Sequence, residues 1–187
     1  MTLVLASASP RRRHLLEQAG IDIDVVPAHV DEAYLEGESP SEHVMRLAHA
    51  KAATVAAKTP SRCVLGADTV VVMDGRIYGK PRDLDEAHRF LAAFSGRTHE
   101  VLTGVCLVRP APAEPTTWVS RSVVHFRHLT AKAIDEYCRI VNALDKAGAY
   151  GIQEHGELIV ERVEGLVSNV IGLPIEDVLQ KLTPPAG

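Results

Sequence analysis

The chain is short of several things that would point to a particular class of protein. Its three cysteines, Cys63, Cys106 and Cys138, are odd in number and far apart, with no CxxC spacing. That argues against a disulfide framework or a zinc site and reads as reduced, buried thiols in a cytosolic protein. The nine histidines form no HExxH or HxxEH arrangement. Net charge is −4, so no global basic field favours stable binding to nucleic acid. No apolar run approaches the ~18 residues a membrane span needs, and the segment before the first arginines is too short for a signal-peptide core. A GxxxxGK[ST] loop is missing, which weighs against a P-loop kinase. There is no internal repeat and no low-complexity tract. What remains is an ordinary globular composition, 46% hydrophobic and 24% charged, over 187 residues. That is enough for one domain with a proper core.

Local signals predict strands over residues 3–6, 24–27, 63–73, 100–108, 118–129 and 157–163. Helices are predicted over 10–19, 40–57, 84–94, 131–141 and 174–182. Ser9, Asp83 and Thr130 are N-cap residues, and Ser39-Pro-Ser-Glu42 spells a capping box. "RPAPAEPTT" joins two strands, Asp74-Gly75 makes a turn, and the tail "TPPAG" frays. Intermixed strands and helices imply an α/β fold with a mixed sheet.

Several charges sit where a fold alone would not put them. Arg11, Arg12 and Arg13 occupy the first turn of the first helix. The positive end of the helix dipole disfavours each exposed cation there by about 0.3–1 kcal/mol, a conflict that an anion would remove. Asp68 interrupts the most apolar strand, "CVLGADTVVVM". It either caps a bulge beside Gly66 or serves as a general base or metal ligand in a cleft. Lys51 falls on the apolar stripe of the second helix, four residues after Leu47, where it either serves a site or snorkels to the surface. "VDE" ends in Glu32, which with Asp68 suits a hard cation such as Mg2+. "YGKPRD" presents Lys80 on a loop, and "SGRTHE" carries Arg97 and His99 at a helix-to-strand turn. In "LDKAGAYGIQ" small residues permit close backbone approach; either Gln153 reads a base edge and Tyr150 packs against a ring, or the segment is a tight structural turn. Cations, isolated lysines and paired carboxylates together point to a polyphosphate.

These segments, with "RLAHAKA" and "NVIGLP", stand in an order and spacing that resembles the Maf family of nucleoside triphosphate pyrophosphatases over nearly the whole chain. The resemblance implies one Maf-like domain over residues 1–187. Its fold would be an elongated mixed sheet flanked by helices, in two lobes with a cleft, akin to inosine triphosphate pyrophosphatase. It implies a cytoplasmic homodimer that hydrolyses a nucleoside triphosphate to the monophosphate and pyrophosphate with a divalent cation, Mg2+ or Mn2+. By the same resemblance Asp68 and Lys80 are catalytic, and Glu32 and Asp68 hold the metal. Ser7, Arg11, Arg12 and Lys51 cradle phosphates, while Arg11, Thr69 and Gln153 bear on substrate choice. "DKAGAYGIQ" is similar to the branch acting on dTTP and UTP. The 7-methyl-GTP branch carries a Cys after the Asp and Ser-Phe in place of Ala149-Tyr150. Such an enzyme would limit incorporation of its substrates into nucleic acid, with a role in cell-division arrest. A nucleotide-binding regulator without catalysis is the alternative from another class.

Overall fold

The capping signals read from the sequence are the ones the chain uses. In the computed structural model, described over residues 2–182, Ser9 Oγ accepts from the Arg12 amide at the start of α1 (Pro10–Gln18). The capping box opens α2 (Pro40–Ala56): Ser39 Oγ accepts from the Glu42 amide at 3.3 Å, and Glu42 accepts from the Ser39 amide at 2.8 Å. Asp83 and Thr130 cap α3 (Leu84–Phe94) and α4 (Ala131–Ile140) in the same way. Each side-chain cap satisfies a donor that would otherwise lack an intrahelical partner, worth about 1 kcal/mol. The predicted fraying of "TPPAG" lies outside the described residues.

The sheet comprises β1 (Leu3–Leu5), β2 (Ile23–Val25), β3 (Val64–Met73), β4 (Arg76–Tyr78), β5 (Thr98–Val108), β6 (Thr116–Phe126) and β7 (Val160–Glu164). Strand order is β2-β1-β3-β5-β6-β7, with β4 paired to β3. Pairing is parallel for β1 with β2 and β3, and antiparallel for β3–β4 and β6–β7, so the sheet is mixed as predicted. Two elements escape the sequence reading. β4 has three residues and forms because Asp74 and Gly75, both at positive φ (52° and 74°), fold the chain back as a tight hairpin. α5 (Val167–Ile171) has five, and α6 (Ile175–Leu182) follows it. Residues 156–158 form a 3-10 turn, so β7 begins at Val160, later than predicted.

The described chain divides into two compact units. The first holds residues 2–69, 103–120 and 172–182. Its core sets Val4, Ala6 and Val64 of the strands against Ala48, Ala52 and Val55 of α2, with Cys106. Two glycines let α2 lie against the strands: a β-carbon on Gly66 would stand 2.3 Å from the Ala48 carbonyl oxygen, and one on Gly104 would stand 2.2 Å from that of Val44. Gly66 therefore serves helix approach, and it lies within the continuous strand β3.

The second unit holds residues 70–102 and 121–171. Its core gathers Phe90, Leu91 and Phe94 of α3, Ile134 and Tyr137 of α4, and Phe126 and Tyr150. Buried Asn169 of α5 donates to the Val101 carbonyl and to Ser122 Oγ, both at 3.0 Å, anchoring that short helix. All three cysteines are free; Cys63 and Cys106 are buried as expected, and Cys138 is half-buried. No helix among the described residues is long and apolar enough to cross a membrane.

Candidate active site

Small residues bring two opposite charges together. Ala48 and Ala52 of α2 rest on Gly66, and Lys51 on the same helix is buried instead of reaching out to solvent. Its Nζ donates to Asp68 Oδ1 at 2.7 Å and to Glu32 Oε1 at 2.6 Å. Lys51 and Asp68 are each 8% exposed, whereas the Glu32 side chain is 61% exposed. The pairing removes the main objection to a carboxylate in an apolar strand. Removing one partner of a buried pair costs about 3–5 kcal/mol, although Glu32 would still offset the charge on Lys51. Two carboxylates on one ammonium can also converge on a small hard cation, which needs only one or two protein carboxylates with waters and phosphates. No group of three or more His, Cys, Asp or Glu with metal-binding geometry occurs among the described residues. Any cation at this place would thus rely on the Asp68–Glu32 pair.

The second cluster is built around Arg12, the middle arginine of α1. The residue is 9% exposed. Its Nε donates to the Gly172 carbonyl at 2.9 Å, Nη1 to Ser7 Oγ at 3.1 Å and Nη2 to Thr69 Oγ1 at 3.0 Å. Thr69 Oγ1 also lies 3.0 Å from Thr103 Oγ1 and 3.2 Å from the Gly172 carbonyl oxygen. Burial pushes the Arg12 pKa down, and the nearby Asp68 carboxylate opposes that. Among the described residues no carboxylate lies within ion-pair distance of Arg12. Its hydrogen bonds go to neutral hydroxyls and a carbonyl.

The three arginines have separate surroundings. Arg11 is half-buried, while Arg13 is exposed and pairs with Glu17 at 3.7 Å, one turn along α1. Thr103 and Gly172 were not singled out from the sequence. Thr103 is a hydroxyl in an apolar run, a signal of the same kind as Asp68. Gly172 takes part through its carbonyl at φ 130°, which a motif can mark but a side-chain reading cannot.

Lys80 and Gln153 belong to the second unit, and both are exposed. Lys80 follows Gly79, whose carbonyl accepts from the Gly148 amide at 3.0 Å. The Gln153 segment is held from beneath by Lys146, which is 2% exposed. Lys146 Nζ donates to the Asn142 carbonyl and Asp145 Oδ1, both at 2.7 Å, and to Glu154 Oε2 at 3.0 Å. Tyr137 Oη accepts from the Gly151 amide at 3.1 Å, a second tie on the same turn.

One expectation for this unit is corrected. Tyr150 does not offer its ring to a ligand: it is 5% exposed and lies edge-on to Phe94 and Phe126. Its hydroxyl is 2.7 Å from His99 Nε2. His99 is itself core, stacked on Phe94, and burial pushes its pKa down to about 3, so the ring is neutral. Arg97 pairs with Asp74 at 2.7 Å on the surface. The turn reading of "SGRTHE" is the one the structure bears out.

The family model described as "Maf-like protein" matches residues 2–184. A dTTP/UTP pyrophosphatase of Anaeromyxobacter dehalogenans (strain 2CP-C) is 50% identical over 177 residues, covering 94% of this chain and 89% of its own. One from Geotalea uraniireducens (strain Rf4) is 46% identical over 180 residues, covering 96% and 93%. One from Clostridioides difficile (strain 630) is 43% identical over 184 residues, covering 97% and 95%. The solved Staphylococcus aureus Ham1 protein aligns over 67% of this chain and 72% of its own, at TM-score 0.47 and 15% identity.

Proposed function

Because the chain belongs to the Maf family, we propose that it hydrolyses dTTP and UTP to the monophosphate and pyrophosphate. The observation that carries this reading is the pairing of Asp68 and Glu32 on Lys51 in the unit that also buries the Arg12 guanidinium among hydroxyls. Anion-binding charge and carboxylates for proton or cation chemistry are what attack on a triphosphate requires.

In this reading a water oxygen bonds to the α-phosphorus, and the bond from that phosphorus to the α,β-bridging oxygen breaks. Pyrophosphate leaves with the electron pair. The proton lost by water passes to Asp68, whose Oδ2 has no hydrogen-bond partner among the described residues while Oδ1 stays on Lys51. Ser7, Arg11, Arg12 and Lys51 hold the phosphates, Lys80 steadies developing negative charge, and Thr69 and Gln153 bear on the choice of base. Asp68 and Glu32 suit a divalent cation, Mg2+ or Mn2+, which when bound would supply charge neutralisation on the phosphate oxygens. The same reading has the protein act as a cytoplasmic homodimer that keeps its substrates out of nucleic acid.

The test is an assay with Mg2+ over dTTP, UTP, CTP, GTP, 7-methyl-GTP and modified pyrimidine nucleotides, recording pyrophosphate and orthophosphate separately. Pyrophosphate from dTTP and UTP, absent with Asp68→Asn, supports the reading. Pyrophosphate from another base replaces the substrate assignment alone. Orthophosphate makes the protein a phosphatase, and binding without product makes it a sensor.

A further inference from the structure

Glu32 sits in a stretch with no helix or strand, between Val25 at the end of β2 and Pro40 at the start of α2. Its side chain is 61% exposed and meets Lys51 at 2.6 Å, and the next amide, that of Ala33, donates to Asp31 Oδ1 at 2.9 Å. Glu38, six residues on, holds the same stretch, and its side chain is only 7% exposed. Glu38 Oε1 accepts from Arg46 Nε at 2.5 Å, and Oε2 accepts from Arg46 Nη2 at 2.9 Å and from the Leu35 amide at 3.3 Å. The His43 ring nitrogen Nδ1 lies 3.0 Å from the same oxygen. Arg46 Nη2 also donates to the carbonyl of Ala33, the residue after Glu32, at 3.0 Å. Tyr34 stacks on His43 with ring centres 4.2 Å apart. Its hydrogen bonds, led by that with Arg46, hold the Glu38 pKa at about 2, so it remains a carboxylate. His43, Arg46 and Lys51 all stand on α2. One rigid helix therefore carries both the ammonium that Glu32 reaches and the groups that grip the loop bearing Glu32.

We propose that Glu38 is a positioning residue: its latch onto Arg46 and His43 sets the Glu32 carboxylate against Lys51 and Asp68. This rests on the reading of Glu32 as part of the active site. A carboxylate displaced by an ångström can lose a large part of its contribution to rate.

The test is a double-mutant cycle in the full-length protein, with Glu38→Gln and Glu32→Gln alone and together. Single-turnover pyrophosphate release from UTP with Mg2+ is read at excess enzyme, which keeps slow variants measurable. We expect Glu38→Gln to lower the rate about tenfold, with nucleotide KM changed less than about twofold. Added to Glu32→Gln, it should cost less than about twofold more. A full further tenfold loss in the double variant overturns the proposal, because Glu38 would then act independently of Glu32. Hydrogen exchange gives a second readout: in Glu38→Gln the Ala33 and Leu35 amides should exchange faster while those of α2 do not. Unchanged exchange at both amides also overturns the latch. A Glu32→Gln protein with full activity, or a wild type that releases no pyrophosphate, overturns the functional reading and the proposal with it. Either is told apart from a failed latch because it appears without any change at Glu38.

Discussion

Gly66 of β3 lies under Ala48 of α2 so closely that a methyl group has no place there: its β-carbon would stand 2.3 Å from the Ala48 carbonyl oxygen and 2.7 Å from the Ala52 amide nitrogen. Both obstacles are backbone, which cannot swing aside. Gly66→Ala should therefore cost at least the ~1–3 kcal/mol of ordinary overpacking. For a chain of this length each kcal/mol lowers the melting temperature by about 2–4 °C. Thermal unfolding should show a drop of several degrees, and an unchanged midpoint would remove Gly66 as the reason α2 sits where it does.

Asp68→Asn keeps the shape of the side chain but gives Lys51 a neutral partner, with Glu32 still paired to it at 2.6 Å. The fold should survive, and pyrophosphate release should fall by about 10²-fold or more, as expected when a general base is lost. Circular dichroism and the steady-state rate, taken on the same preparation, check both halves.

Gln153 is exposed on a turn held by Lys146 and Tyr137. Gln153→Ala should reorder the preference among nucleotides more than it lowers the highest kcat. Comparing kcat/KM for UTP, dTTP, CTP and GTP reads this directly, and an equal loss with all four would count against a role in reading the base.

Acid should destabilise the protein in two stages. His99 has a folded pKa of about 3 against 6.5 for the free side chain, lowered by burial. Below pH 6.5 the unfolded chain takes up a proton that the folded one refuses, so stability falls as pH drops from 6.5 towards 3. The slope is up to about 1.4 kcal/mol per pH unit for one such group. Glu38, lowered from 4.5 to about 2 chiefly by Arg46, adds its own loss between those values. Melting temperature measured from pH 7 to 3 should fall more gently below pH 4.5 in Glu38→Gln than in wild type.

What the sequence made legible was local. Ser9, Ser39, Asp83 and Thr130 act on amides three residues away, so their helices begin where predicted. Lys51 could be placed on an apolar stripe by spacing alone. What it would meet could not, because that depends on how close Gly66 lets the helix come. β4 and α5 were hidden by their length, since three to five residues are held by tertiary contacts more than by periodicity. Tyr150 was misread for a related reason: its partner His99 lies 51 residues away, and nothing beside it in the chain announces a buried hydroxyl.

The bond from Arg12 to the Gly172 carbonyl spans 160 residues of chain. On a ribosome adding about 5–20 residues per second, the arginine waits roughly ten to thirty seconds before the glycine that caps it has even been made. Until then its guanidinium has only Ser7 and, later, Thr69 and solvent to turn to. The Arg12 cluster is thus among the last parts of the molecule to be completed. A nascent chain that already carries every arginine, lysine and carboxylate of the site is still without the carbonyl that orients the first of them. Maturity of the site is set by when synthesis passes residue 172, and the early "SPRRR" segment is only its first half.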